Sequence, residues 1–336
     1  MLAAILHALR RAAQRDLGTF AGVKVNNFFL FVALLIAGAV SSGVQPWSAY
    51  PFLALMGFLL AFPLSGDPLD KIPVERQLLW PLKPSQRLAL RMVGLLLSPM
   101  VWLAIALLPK VGRTGAAVLL GFQLATLAVR KLLARLPRLD VARTVPLFPG
   151  KLGPLVTSHF RQMLTLLDTW LAIAIAVGAW VYALAASPAD PEGPPILGIL
   201  IALALSTQAQ ALLDFDRHSG TTLPLQGWEI LVAKDTAHLG LLLVLTLALH
   251  PAAALAASLT ALALGHHSSV FLKLPQKRWR FAGGRLLPVG ALQALGTVAA
   301  GFGTLRHGWP VLAATALFFL ASLYFYGRRL DQTPKR

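Results

Sequence analysis

Long apolar runs are the feature that most limits what this sequence can fold into. An α-helix needs about 20 residues to cross a hydrocarbon core of about 30 Å. The lengths of stretches such as 27–44, 164–186 and 310–327 are close to this value. Only 13% of the residues are charged, about half the share of an ordinary globular domain. The runs lack the alternation of barrel strands, and a span in lipid must satisfy its own backbone. The sequence therefore predicts an all-α, polytopic integral membrane protein.

The apolar runs predict about ten transmembrane helices. The seventh and eighth are short, and only His250 and Pro251 separate them. As a single helix they would be long for an ordinary span, so we predict two helices with a break at the proline. The predicted spans are 27–44, 48–65, 90–109, 114–133, 164–186, 195–213, 236–250, 252–267, 286–304 and 310–327.

The placement of basic residues predicts the orientation of the spans. The net charge is +17, and all but three of the 30 Lys and Arg residues fall in the N-terminal arm, in alternate loops or in the C-terminal tail. The three on the opposite side are Lys110, Arg113 and Arg306. Lys and Arg accumulate in cytoplasmic loops, so we expect both ends of the chain to be cytoplasmic in a bacterial inner membrane. The positive charge is explained by this bias, without nucleic-acid binding.

Two cytoplasmic segments indicate an internal repeat. The stretch "WPLKPSQRLALR" (80–91) aligns with "LPLQGWEILVAK" (223–234), and prolines recur at matching places in the flanking spans. The matching pairs are Pro81 with Pro224, Pro109 with Pro251, and Pro137 with Pro275. We predict an amphipathic membrane-surface helix (1–22), a first four-span unit (23–161), a second four-span unit (162–285), and a two-span end with a cytoplasmic tail (286–336).

Residues 215–235 concentrate polar chemistry between two apolar runs. Pro224 can begin a helix, because its missing N–H is not needed in the first turn. The following residues place apolar side chains on one side at helical spacing, with Glu229 off that side and Lys234 near the end. We therefore expect a short amphipathic helix along the cytoplasmic face. In this interpretation Glu229 is exposed, and Lys234 binds lipid phosphates or the helix C-terminal dipole.

The pattern "FDR..G......P....EIL..K" resembles the cytoplasmic loop of type-two ABC exporter permeases, and 80–99 resembles the same loop in the longer, two-unit members. The resemblance implies that a short helix docks into an ATPase and relays its closure to the spans. That ATPase must be a separate subunit, because the sequence has no GxxxxGK[ST] phosphate loop. Membrane lipids and a second permease, as a homodimer or heterodimer, are the other expected partners, and no cofactor is expected. The expected coupling residues are Pro81, Arg91, Asp216, Arg217, Gly220, Pro224, Gln226, Gly227, Trp228, Glu229 and Lys234.

A membrane enzyme is the alternative interpretation. Intramembrane prenyltransferases also carry two Asp-bearing cytoplasmic loops, whose carboxylates hold Mg²⁺ on a prenyl diphosphate. The corresponding carboxylates are Asp67 and Asp70 in one loop, and Asp214 and Asp216 in the other. One or two carboxylates per metal are enough for a divalent ion held through phosphate oxygens.

Several polar residues fall inside the predicted spans. Adjacent His266 and His267 diverge by about 100° on a helix, so we interpret them as a membrane-edge polar pair and not as metal ligands. Asp168, at a span edge, is either wetted or functional. Four glutamines are expected to form interhelical hydrogen bonds or to line a substrate path: Gln123, Gln208, Gln210 and Gln293. The chain has no cysteine and no Gly-x-Ser-x-Gly motif, which excludes thiol chemistry and gives no nucleophile signature.

Overall fold

The described part of the chain is helical, with short turns and connecting segments between the helices. The computed structural model describes residues 145–185, 193–210, 225–249, 251–271 and 289–332, with shorter stretches at 83, 85–86, 89, 112–118, 120–121 and 124–125. No strand occurs among these residues, so the all-α prediction is confirmed for them. The longer ranges belong to a compact unit that contains Leu139–Arg336, whereas the short stretches belong to a separate unit that contains Val32–Arg138.

Seven α-helices follow one another in the described part of the larger unit. They are α1 (Gly153–Leu164), α2 (Leu167–Ala185), α3 (Gly193–Ser206), α4 (Gly227–Thr246), α5 (Pro251–Phe271), α6 (Ala291–His307) and α7 (Trp309–Gln332). A 3₁₀ turn, Thr207–Gln210, extends α3. Between α6 and α7 the chain reverses at Gly308, whose φ of +69° is a conformation that glycine adopts without strain. α2, α3, α5, α6 and α7 match predicted spans in position.

α5 is the central helix of this unit. It packs against α3, α4, α6 and α7, and most of its residues are buried. The buried residues of α5 are mainly Ala, Ser and Gly, and such small side chains allow neighbouring helix backbones to approach closely. The approach is tightest at Gly265, where an added Cβ would lie 2.6 Å from the Ala209 carbonyl oxygen.

α1 is an amphipathic helix that the sequence interpretation missed. Residues 151–161 were expected to form a loop, but Gly153–Leu164 is helical, with Pro154 in the first turn, where proline fits. The buried side of α1 includes Leu155, Val156 and Met163, and it packs against α4. The axis then bends by 78° into α2. The predicted span 164–186 therefore corresponds to α2 alone, preceded by a short helix in a different direction.

α4 is one continuous helix. The sequence predicted a short surface helix over 223–234, followed by a span over 236–250, but Gly227–Thr246 runs without interruption through 20 residues. The separate-helix prediction was wrong because the segment contains no proline, and Gly240 alone does not break a helix. A turn after Thr246, followed by Pro251, separates α4 from α5. The predicted break between the seventh and eighth apolar segments is confirmed.

One described helix, α7, is long and apolar enough to cross a membrane. It has 24 residues and a mean hydropathy of 1.6 over its best window, of which 22% is buried. At 1.5 Å per residue, such a helix spans about 36 Å. The bent pair formed by α1 and the first part of α2 meets the same criterion if it counts as one broken span.

Large apolar side chains cover much of the outer surface of this unit. They lie on α2, α4, α6 and α7 and include Leu184, Val244, Leu295 and Leu317. In contrast, buried positions on α2, α4 and α5 hold ionisable groups.

We predict that Gly265→Ala destabilises the protein, whereas Gly240→Ala does not. The Gly265 variant places a methyl group against backbone atoms of Ala209, which cannot rotate away, and such overpacking costs about 1–3 kcal/mol. No atom lies within 4 Å of a Cβ added at Gly240, so that change is neutral, or stabilising by up to about 1 kcal/mol. Thermal unfolding in detergent measures both, and equal midpoints for the two variants would contradict the packing described here.

Candidate functional site

A cluster of buried polar side chains lies where α4, α5 and α7 meet. Lys234, Asp235 and His266 are almost fully buried, with 5%, 2% and 0% of their surfaces exposed. An isolated charge in such a place is costly, so each charged group must be paired or hydrogen-bonded. We call this cluster the polar centre; its members are Lys234, Asp235, His238, His266, Ser269 and Ser322.

Lys234 is held by the end of α3 and by α5. Its Nζ donates hydrogen bonds of 2.9 Å to the Ala209 carbonyl and to Ser269 Oγ. Ser269 Oγ itself donates to the same carbonyl at 2.9 Å. Nζ also lies 3.6 Å from Asp235 Oδ1. Lys234 was expected at a helix end near lipid phosphates, but it lies inside the bundle, because α4 continues for three more turns.

Asp235, His266 and Ser322 form a chain across three helices. His266 Nε2 lies 2.9 Å from Asp235 Oδ2, and His266 Nδ1 lies 2.9 Å from Ser322 Oγ. Ser322 Oγ also donates to the Ala263 carbonyl at 2.7 Å. His266, which was expected to belong to a membrane-edge polar pair, is fully buried among the helices. Its neighbour His267 is exposed and contacts Tyr326 and Phe271, so the two side chains do diverge.

The Ser322, His266 and Asp235 side chains are of the types found in nucleophilic triads. Their surroundings do not favour acyl transfer. The Ser322 hydroxyl donates to a carbonyl, and the helical backbone N–H groups around it are already hydrogen-bonded within α7 and cannot stabilise an oxyanion. Among the described residues, the chain of contacts is better suited to hold a proton than to attack a substrate.

A small cavity of about 20 Å³ borders the polar centre. Its polar lining includes Lys234, His238, Gln208 and His159. His238 Nε2 and Gln208 Oε1 are buried and have no hydrogen-bond partner among the described protein atoms. The volume suffices for one water molecule, and a water needs two or more polar partners of this kind.

Glutamines of α3 and α6 form the interhelical hydrogen bonds that the sequence suggested. Gln210 Nε2 donates to Gln293 Oε1 at 2.5 Å, and Gln293 Nε2 donates to the carbonyls of Ser206 and Ala261. Gln208 Nε2 donates to Thr169 Oγ1 at 3.0 Å. Gln123 lies outside the described residues. Asp168, which the sequence left undecided, is fully buried in the first turn of α2.

The start of α4 is fixed to the far end of α7. The Gly227 N–H donates to Asp331 Oδ1 at 2.6 Å. An added Cβ at Gly227 would lie 2.4 Å from the Gly327 carbonyl oxygen, and one at Gly327 would lie 2.7 Å from Trp228 Cβ. The two glycines therefore let α4 and α7 touch backbone to backbone. Beside this contact, Gln226 is exposed, and Trp228 is 44% exposed.

Glu229 closes the first turn of α4 and is not an exposed charge. Its Oε2 accepts a hydrogen bond from the Gln226 backbone N–H at 2.9 Å, a capping arrangement. Its Oε1 accepts one from Lys151 Nζ at 2.7 Å. The expectation of an exposed Glu229 was wrong because Lys151, which precedes α1, folds over it. The hydrogen bond from Lys151, and then that from Gln226, lower the pKa of the Glu229 carboxyl below its ordinary value of 4.5.

A similar capping contact occurs at the aligned position of the first repeat. The Lys83 backbone N–H donates to Gln86 Oε1 at 3.1 Å, and Ser85, Gln86 and Ala89 are helical. In the alignment of 80–91 with 223–234, Lys83 matches Gln226, and Gln86 matches Glu229. The remaining expected coupling residues lie outside the described residues: Pro81, Arg91, Asp216, Arg217, Gly220 and Pro224. The four carboxylates of the prenyltransferase alternative lie outside them too.

Sequence reasoning missed the polar centre, although one signal was available. Asp235 and His238 are three residues apart, so they lie on one face of a helix, and Lys234 adjoins them. Recognition of α4 as a single helix would have placed these ionisable groups inside an apolar bundle. The contribution of Ser322 could not be foreseen, because it depends on how α7 crosses α5.

Comparisons with family models, with curated proteins and with solved structures give no match.

We predict that Lys234→Met destabilises the protein far more than Lys151→Met. The first change removes the buried ammonium group from Asp235 and from the Ala209 carbonyl, and breaking such a buried pair costs about 3–5 kcal/mol. The Lys151 side chain is 67% exposed, so solvent replaces much of its contact. Unfolding midpoints of the two purified variants provide the comparison. A Lys151 effect as large as the Lys234 effect would show that burial does not govern the pairing.

We predict that Glu229 makes stability depend on pH in the acid range. Because the folded-state pKa of Glu229 is lowered, its contribution is present above 4.5 and is lost as the pH falls through the lowered value. The difference in unfolding midpoint between wild type and Glu229→Gln should therefore shrink as the medium becomes more acid. In Lys151→Met, which removes the first cause of the shift, the same pH dependence should be weaker. A pH-independent difference between wild type and Glu229→Gln would contradict this assignment.

Proposed function

We propose that this chain is the membrane-spanning permease subunit of an ATP-driven exporter, coupled to a separate ABC ATPase. The start of α4, around Gln226 and Trp228, forms one docking surface for that ATPase, and the helix near 80–91 forms the second. The proposal includes about ten spans in a bacterial inner membrane, with both ends of the chain cytoplasmic. Membrane lipids and a second permease chain complete the assembly.

The distribution of side chains, with apolar groups outside and ionisable groups inside, is the reverse of that in a soluble protein and supports a membrane location. Leucine, valine and phenylalanine side chains are exposed on the outside of the bundle, whereas Lys234, Asp235 and His266 are buried. In lipid, an apolar exterior carries no penalty, and interior ionisable groups pair with one another, as they do here. The length and hydropathy of α7 agree with this location.

The observation that carries the docking proposal is the construction of the α4 start. Trp228 and Gln226 are exposed side by side, and an exposed tryptophan is typical of the centre of a protein interface. The adjoining Gly227 is hydrogen-bonded to Asp331, so the exposed surface is connected directly to α7. A force on this surface would therefore reach a membrane-spanning helix without an intervening loop.

The mechanism follows from these contacts. Closure of the ATPase displaces Gln226 and Trp228, and α4 moves as one body because it is continuous. α7 follows through the contact of Gly227 with Asp331 and Gly327. Rigid-body shifts of packed helices are a common way to exchange inward-open and outward-open states.

The repeated capping contact supports a second docking helix. Gln86 caps the Lys83 N–H just as Glu229 caps the Gln226 N–H, at positions that the sequence alignment had already paired. Two equivalent helices in one chain fit an exporter whose two ATPase sites each need a docking surface.

We predict that a photocrosslinker at Gln226 captures a Walker-motif ATPase in native membranes and that one at Trp309 does not. Trp309 is 77% exposed, but it lies 18 residues, or about 27 Å, along α7 from Gly327. It is therefore a matched exposed control at the other end of the same helix. Mass spectrometry identifies the captured protein, and the membrane levels of the two variants are compared.

Two outcomes would contradict the proposed function. The first is capture of no ATPase from Gln226, or equal capture from Trp309. The second is Mg²⁺-dependent binding of a prenyl diphosphate by the purified chain, lost when Asp67, Asp70, Asp214 and Asp216 are changed to asparagine. That result would favour the prenyltransferase alternative.

A further inference from the structure

The contacts of His266 require more protons than a neutral side chain supplies. Three close polar contacts link the group: Nε2 with Asp235 Oδ2 at 2.9 Å, Nδ1 with Ser322 Oγ at 2.9 Å, and Ser322 Oγ with the Ala263 carbonyl at 2.7 Å. Each contact is a hydrogen bond only if one proton lies in it. A neutral imidazole and a hydroxyl carry two protons between them.

With Asp235 as a carboxylate, the doubly protonated imidazole satisfies all three contacts at once. Nε2–H then donates to Asp235, Nδ1–H donates to Ser322 Oγ, and the hydroxyl donates to Ala263. With a neutral ring that keeps Nε2–H on the Asp235 carboxylate, two lone pairs face each other, either between Nδ1 and Oγ or between Oγ and the Ala263 carbonyl. In a buried site, with little water to relieve this repulsion, one of the two contacts on Ser322 must open.

The charges around His266 permit both states. On α4, Asp235 stands between His266 and Lys234, so one carboxylate faces two cations when the ring is protonated. When the ring is neutral, Lys234 and Asp235 balance each other. The titratable side chains in the polar centre, in the lining of the small cavity beside it or next to the His266 ring are Lys234, Asp235 and His238 on α4, His267 on α5, Tyr326 on α7 and His159 on α1.

The proton has a direct structural consequence because its contacts join three helices. Asp235 belongs to α4, His266 to α5 and Ser322 to α7. Ser322 also lines a mainly apolar cavity of about 350 Å³, whose other lining residues include members of α5, α6 and α7. Opening of the Ser322 contact would loosen α7 against α5 along the wall of this cavity.

We propose that the polar centre is a reversible proton-binding site, in which one proton on His266 holds α7 against α5. Loss of the proton opens the contact with Ser322 and with it the wall of the apolar cavity. The site is independent of ATPase docking, and it gives the chain a response to protons that the proposed export function does not require. The adjoining water-sized cavity at His238 offers the closest polar space for proton exchange.

The test is a ¹⁵N NMR titration of the histidine rings in the purified protein, held in phospholipid nanodiscs. The His266 signals are assigned by their loss in His266→Asn. We expect both ring nitrogens of His266 to carry protons at acid pH and one of them to lose its proton as the pH rises. The ring nitrogen shifts distinguish these forms directly, whether or not an ATPase binds the chain.

Three variants separate proton binding from general packing. Ser322→Ala removes the acceptor for Nδ1–H and should weaken proton binding at His266 about tenfold or more, which moves the titration to lower pH. Asp235→Asn removes the counter-charge and should move it further in the same direction. His267→Asn changes the adjacent exposed histidine and should leave the His266 titration where it is.

Three outcomes would overturn the proposal. His266 could stay singly protonated at every pH at which the protein is folded, or its titration could be unaffected by Ser322→Ala. Labelling of Ser322 by a fluorophosphonate probe would show that this serine is a nucleophile instead. If Asp235→Asn does not fold, Ser322→Ala and His267→Asn still decide the question. Failure of ATPase crosslinking at Gln226 would leave the proton-binding result unchanged, so the two proposals can fail separately.

Discussion

Lys234 and Asp235 can be buried in this bundle only because their partners come from other helices. A cation or a carboxylate without a partner costs several kcal/mol in an apolar interior. The carbonyl at the end of α3 accepts from Lys234, and His266 of α5 lies against Asp235. The arrangement of α3, α4 and α5 is therefore specified as much by these polar contacts as by apolar packing, which is non-directional.

Small residues make those contacts geometrically feasible. The glycine and alanine surface of α5 brings the backbones of its neighbours near enough for short side chains, such as Ser269 and Ser322, to reach across. Larger residues on α5 would hold the helices apart and leave the same polar groups without partners. Close packing and polar pairing thus depend on each other in this unit, and neither would be stable alone.

The sequence was most informative where one helix is specified by its own composition. The apolar runs located α2, α3, α5, α6 and α7, and Pro251 located the break before α5. It was least informative where position depends on other helices. Glu229 looked exposed because nothing in its own segment indicates that Lys151, 78 residues away, lies over it. Lys234 looked like a surface group for the same reason, since its burial follows from the crossing of α3, α4 and α5.

The backbone contact at Gly227 and Gly327 also determines how far the opposite end of α7 would move when a force acts near Trp228. The two helices meet backbone to backbone there, and the hydrogen bond to Asp331 limits their separation, so a rotation of α7 would pivot about this point. The contact then acts as a fulcrum near one end of a lever. From Gly327 to Trp309, the long arm of α7 measures about 27 Å. A rotation of about 10° at the fulcrum would displace the far end of that arm by about 5 Å, roughly the pitch of one helical turn. A sub-ångström push at Trp228, close to the fulcrum, could thus become a displacement of several ångströms at the opposite end of the helix.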